Sequence, residues 1–85
     1  MTREEATAAV RSAILRVAPD ADLDSLAPDA PYREALDLDS LDFLGIVELL
    51  SERTGVRLDE DDYPKLATVD SAATLLAERR PAHRG

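Results

Sequence analysis

A chain that does chemistry needs a nucleophile with a base, a set of metal ligands, or a borrowed group. The 85 residues contain no cysteine and one histidine, His83, which lies past the last periodic stretch. Thiolate nucleophiles, cysteine metal sites and disulfides are therefore excluded, and a Ser–His or Cys–His pair is hard to build. What remains is hydroxyl groups among carboxylates. The pentapeptide Asp-Leu-Asp-Ser-Leu occurs twice, at Asp22–Leu26 and at Asp37–Leu41, so Ser25 and Ser40 share the same immediate neighbours.

The flanks separate them. Ser25 is followed by Ala27-Pro28-Asp29-Ala30-Pro31, which cannot continue a helix, whereas Ser40 opens an uninterrupted amphipathic run. Nothing beyond the pentapeptide is alike, so the two are not a structural repeat. At a helix start the first backbone N–H groups are unpaired and the helix dipole favours an anion. A phosphate ester on Ser40 is thus electrostatically favoured, and one on Ser25 gains no such help. Taken alone, Asp39-Ser40-Leu41-Asp42 also reads as a plain helix cap.

The elements that position Ser40 follow from periodicity. Thr2-x-x-Glu5 is a capping box, and Ala6, Val10, Ala13, Ile14 and Val17 repeat at helical spacing until Pro19. From Pro19 to Asp39 there is no sustained period, and a loop of that length tends to be functional. Leu23, Leu26, Tyr32, Leu36 and Leu38 are expected to pin it to the core. The helix from Ser40 places Phe43, Ile46, Val47, Leu50 and Thr54 on one face. Leu41, Gly45, Glu48 and Glu52 share the opposite face with Asp42 at its edge, Leu44 and Leu49 flank the core stripe, and Gly55 stops the helix. Asp59-Glu60-Asp61-Asp62 predicts a helical turn that Pro64 keeps brief. Thr68 caps a last helix with Val69, Ala72, Ala73 and Leu76 inside. The expected fold is all-α, a small four-helix bundle of three main helices and one short one. Residues 1–80 form the single domain and residues 81–85 a disordered tail.

Charge narrows the partners. Between Asp20 and Asp62 fourteen acidic residues face three basic ones, Arg33, Arg53 and Arg57, while the rest of the chain is net basic. Phosphate-backbone binding needs clustered Lys and Arg, so nucleic acid is excluded as a partner and a basic protein surface is favoured. Acidity that serves only solubility is the plainer alternative. The acidic N-terminus and short apolar runs predict no signal peptide and no membrane insertion, hence a cytoplasmic monomer. A calcium loop fails at both candidate windows. Ser25 and Pro31 stand where an EF-hand needs glycine and glutamate, and Tyr63 and Pro64 spoil the window from Asp59.

From Ala6 to Glu78 the chain resembles the acyl carrier protein family. The stretch PDAPYREALDLDSLDFLGIVELLSERTGVRLDEDDYPKLATVDSAATLL carries the likeness, with Asp-Ser-Leu at the start of the second long helix as its signature. The resemblance implies a carrier and not an enzyme, with a covalent 4′-phosphopantetheine on Ser40. A phosphopantetheinyl transferase would install it from coenzyme A with Mg²⁺, which Asp39 helps to hold during transfer. By the same resemblance, Leu41, Asp42 and Glu52 match partner-contact positions, and Gly45 stands where fatty-acid carriers commonly have glutamate, with Glu48 nearby. These five residues form the expected docking surface for acyl-loading and acyl-processing enzymes with basic faces. Phe43, Ile46, Val47 and Leu50 are expected to shelter a bound acyl chain. The implied role is to hold acyl intermediates as thioesters in a fatty-acid, polyketide or other specialised pathway. An aminoacyl or peptidyl carrier and an acidic, non-covalent helical adaptor are the alternatives.

Overall fold

The computed structural model describes residues 1–79, so the expected tail at 81–85 lies outside the described residues. The first helix, α1 (Arg3–Val17), begins where the sequence sets its cap. Thr2 Oγ1 accepts the Glu5 amide at 3.0 Å and Glu5 Oε1 accepts the Thr2 amide at 2.8 Å. Those bonds to Thr2 hold the Glu5 carboxyl below its ordinary pKa. Ala6, Val10, Ala13 and Ile14 are buried, and the helix stops before Pro19.

The second long helix, α3 (Ser40–Thr54), has Asp39 as its N-cap, and Gly55 closes it at φ 72° in the left-handed region that glycine tolerates. Phe43, Ile46, Val47, Leu50 and Thr54 are its buried residues, the stripe expected from the period. Thr54, the polar member, is satisfied inside: its hydroxyl donates to the Leu50 carbonyl at 2.7 Å and accepts the Val56 amide at 3.1 Å. The last helix, α4 (Val69–Glu78), starts at Thr68, whose Oγ1 accepts the Ser71 amide at 3.0 Å. α1 packs against both α4 and α3, so the core forms where the three apolar stripes meet. Among the described residues there is no strand, only one isolated bridge between Pro31 and Thr68.

Two connections differ from expectation. The long α1–α3 loop holds a 3₁₀ turn at Leu23–Ser25 and a single α-turn, α2 (Tyr32–Ala35). Neither is long enough to show a period. Leu23 and Tyr32 are buried, and Leu26, Leu36 and Leu38 pack partly against the core. The acid-rich segment is a 3₁₀ helix that continues past Pro64 to Leu66. It is therefore longer than the brief turn expected. The Asp59 amide donates to Asp62 Oδ2 at 2.9 Å at its start, and Leu66 is buried at its end. Arg79 clamps the same carboxylate with two bonds of 2.8 and 3.0 Å. That pair, with help from the Asp59 backbone, lowers the Asp62 pKa to about 2.

The loop is stitched to the start of α4. Asp70 N–H donates to the Pro28 carbonyl at 2.8 Å and Tyr32 N–H to the Ala67 carbonyl at 3.2 Å. These bonds satisfy backbone groups that a packed loop would otherwise leave unpaired. The loop then enters α3 through a tight reversal at Asp37, a non-glycine residue at φ 57°. Leu38 N–H bonds the Arg33 carbonyl at 2.8 Å and Asp37 N–H the Glu34 carbonyl at 3.4 Å, the Schellman closure of α2. Ser40 comes three residues later.

Candidate functional site

Ser40 is the first residue of α3 and is exposed. The helix beneath it is held by a reciprocal carboxylate box. Asp39 Oδ1 accepts the Asp42 amide at 2.8 Å, and Asp42 Oδ2 accepts the Asp39 amide at 3.2 Å. The cap is therefore made by Asp39, which leaves the Ser40 hydroxyl free of capping duty. Its one side-chain hydrogen-bond partner among the described residues is Arg33, whose guanidinium donates at 3.5 Å, the long limit of a hydrogen bond. At the first copy of the pentapeptide, Ser25 Oγ donates to Asp22 Oδ2 at 2.7 Å.

A groove of about 540 Å³ starts at Ser40 and runs between α3 and the 3₁₀ segment. Phe43, Leu44, Tyr63, Pro64 and Ala67 give it apolar walls, with Arg33 and Glu60 as its charged members. The three aromatic side chains stand in file. The Phe43 ring lies 6.3 Å from Tyr32 and 5.3 Å, edge to face, from Tyr63. Arg33 covers Phe43 from 5.0 Å. Tyr32 is fully buried and its hydroxyl has no partner, so burial pushes its pKa above the ordinary tyrosine value.

The expected site residues divide into three groups. Ser40, Asp39, Leu41 and Asp42 cluster at the head of α3, with Leu41 78% exposed, and Glu48 and Glu52 lie exposed further along. Gly45 departs from the open surface expected for it. It is half-buried, and a Cβ there would stand 3.5 Å from Val17 Cγ2, because the end of α1 passes over this part of α3. Of the expected acyl-shelter residues only Phe43 lines the groove, whereas Ile46, Val47 and Leu50 are in the closed core. Arg33, Leu44, Glu60, Tyr63, Pro64 and Ala67 line the groove without having been singled out for it. Arg33 alone carried a signal, as one of three basic residues in the acidic stretch. Among the described residues no group of three or more Asp, Glu or His side chains could hold a metal ion. No helix of the described residues is long and apolar enough to cross a membrane.

The arrangement presents an exposed hydroxyl, bonded to no carboxylate and only at long range by Arg33, on a capped helix start beside an apolar groove. Among the described residues the one side chain that bonds this hydroxyl is a donor, Arg33. The family model for the phosphopantetheine attachment site matches residues 8–76. The chain belongs to the acyl carrier protein family. It is 33% identical over 64 residues to an acyl carrier protein of Picosynechococcus sp., covering 75% of this chain and 79% of that one. It is 29% identical over 79 residues to an acyl carrier protein of Petrotoga mobilis, covering 93% and 92%. A third such protein, from Lactobacillus johnsonii, is 37% identical over 55 residues, 65% of this chain and 69% of its own. No solved structure matches the chain significantly.

An acyl carrier protein is not a catalyst, and its cofactor is a covalently attached 4′-phosphopantetheine. When bound, that group supplies the thiol that this cysteine-free chain lacks. The matched range spans both pentapeptides, so the geometry around each serine is what separates them.

Proposed function

We propose that Ser40 is the attachment serine, and that the chain shuttles acyl thioesters between enzymes of a specialised acyl or polyketide-type pathway. The observation that carries the assignment is the state of the two hydroxyls. Ser40 is exposed at the head of a fifteen-residue helix beside the groove, and Ser25 is bonded to Asp22 at 2.7 Å. The unpaired amides at the start of α3 and the nearby Arg33 guanidinium fit a phosphodiester on Ser40 Oγ. Asp39 spends one carboxylate oxygen on the Asp42 amide and can offer the other to a Mg²⁺ ion that a transferase and coenzyme A complete.

The partners of this reading are a phosphopantetheinyl transferase and acyl-processing enzymes with basic surfaces. Leu41 is their apolar anchor, and Asp42, Glu48 and Glu52 supply the surrounding charge. Such charges act mostly on association rate and are screened by salt over about 8–10 Å. Phe43 and the groove it lines would take the start of an acyl chain. The pathway assignment rests on Gly45, which removes a side chain from the docking helix at its approach to Val17. A housekeeping fatty-acid ketosynthase should therefore turn this carrier over more slowly than a carrier with glutamate at that position.

Treatment with a broad-specificity transferase, coenzyme A and Mg²⁺, followed by intact mass and peptide mapping, tests the attachment. Ser25→Ala should gain the mass of the arm and Ser40→Ala should not. An arm mapped to Ser25 would overturn the assignment.

A further inference from the structure

We infer that Arg33 is a positioning residue that grips the phosphodiester on Ser40 and aligns the first part of the arm with the groove. The inference rests on the Ser40 assignment and adds to it a residue from a different element. Arg33 belongs to the single turn α2, and the left-handed residue Asp37 reverses the chain so that this turn lies beside the head of α3. Its guanidinium is 3.5 Å from Ser40 Oγ and lies over the Phe43 ring at 5.0 Å. It lines the same groove as Ser40 and Phe43.

Like Arg16, Arg53 and Lys65, Arg33 makes no ion pair among the described residues, but of these four it alone lines the groove at Ser40. Arg3, Arg11, Arg57 and Arg79 each pair with an aspartate. Among the described residues no carboxylate stands at ion-pair distance from Arg33, although Glu34, Asp37, Asp39 and Asp42 are close in sequence and Glu60 lines the same groove. One face of the guanidinium rests on an aromatic ring, and its edge is directed to a hydroxyl oxygen. The remaining N–H groups of the planar fork suit two oxygens of one phosphate.

A phosphodiester on Oγ brings its phosphorus one bond from that oxygen, so its free oxygens come within reach of this guanidinium. The need for it is electrostatic. The phosphate adds a negative charge beside the Asp39 and Asp42 carboxylates, in a stretch with only three basic residues. The other two, Arg53 and Arg57, lie near or beyond the far end of α3. Arg33 offsets the repulsion at the point where it arises. Because the same side chain covers Phe43, holding the phosphate there points the next atoms of the arm toward the groove.

The test uses the loaded protein and reads phosphorus NMR. Wild type, Arg33→Gln and Arg33→Lys are loaded, and mass and peptide mapping establish the arm on Ser40 in each. Circular dichroism melts of the unloaded forms check that each variant folds. At low salt Arg33→Gln should displace the phosphorus resonance, and Arg33→Lys should restore part of the displacement through charge without the fork. In wild type, rising salt should move the resonance toward that of Arg33→Gln, a measurement that needs no variant. A loaded Arg33→Gln protein whose resonance coincides with wild type at low salt would overturn the inference and leave the Ser40 assignment intact. A wild-type chain that gains no mass on Ser40 would overturn both.

Discussion

Asp22–Leu26 and Asp37–Leu41 are identical in sequence and opposite in use. Asp22 has φ −93° and Asp37 φ 57°. Ser25 ends a three-residue 3₁₀ turn, and Ser40 begins a fifteen-residue α-helix. In the first copy an aspartate takes the serine hydroxyl, and in the second an aspartate takes a helix amide and leaves the hydroxyl free. At the second position Leu23 is buried, 6% exposed, and Leu38 half-buried, while at the fifth Leu26 is half-buried and Leu41 78% exposed, so the most inward leucine lies in the first copy and the most outward in the second. Five residues therefore do not encode a conformation. The residues downstream of them do, because helix nucleation is costly and only the second copy leads into a stretch that can propagate and bury a stripe.

The largest expected difference is in packing. Leu23→Ala should cost about 2–3 kcal/mol in urea unfolding, as for other buried leucines. Leu41→Ala should stay within about 0.5 kcal/mol and instead slow loading by the transferase. Equal losses of stability would erase the contrast between inward and outward leucines. The next difference lies in the third residue of each copy. Asp39→Ala removes the α3 cap and should cost about 1 kcal/mol. Asp24→Ala should cost less than about 0.5 kcal/mol, since the Asp24 side chain is 95% exposed and its one ion pair is with Arg11, at 3.4 Å.

Acid sets the range in which the two copies can be compared, and it does so through a carboxylate outside both. The Asp62 pKa is depressed to about 2 by Arg79 and the Asp59 backbone. Its contribution is complete above the ordinary carboxylate range near about 4 and disappears as pH falls toward about 2. After allowance for solvent screening this loss is on the order of 1 kcal/mol, and Asp62→Asn should remove that step from a pH series of melts. The smallest effect sharpens the backbone contrast. Asp37→Gly should stabilise by about 0.5 kcal/mol because glycine accepts the left-handed conformation freely. Asp22→Gly should destabilise by a similar amount, losing the bond to Ser25. Thermal melts of the two variants should therefore move in opposite directions.

Most of this contrast could be read from the sequence, because caps and periods are local. Thr2 with Glu5, the stripe from Phe43 to Thr54, Gly55 and Thr68 all announce their elements within a few residues. The prolines after Ser25 separate the two copies in the same local way. The pieces that escaped are short or distant. α2 and the turn at Leu23 are too brief to establish a period, and the acid-rich segment runs past Pro64 in the tighter 3₁₀ form. Gly45 looked open because nothing near it in sequence indicates that the end of α1 lies across it. Arg33 reaches Ser40 only because Asp37 reverses the chain, a conformation that Asp adopts uncommonly and that no pattern of apolar residues signals. Ile46, Val47 and Leu50 share a helix face with Phe43, but depth along that face decides which residue meets the groove.

The aromatic file also determines what light can report about this molecule. Tyr32, Phe43 and Tyr63 are the only aromatic residues in the chain, and there is no tryptophan. Phe43 and Tyr63 line the groove beside Ser40, and the third ring, Tyr32, is buried in the core next to Phe43, so the near-ultraviolet signal of the polypeptide comes from this one aromatic file. Tyrosine emission and near-ultraviolet circular dichroism thus act as a built-in, label-free probe of that file. A guest in the groove against Phe43 and Tyr63 would change the signal, with buried Tyr32 as the only other ring contributing to it.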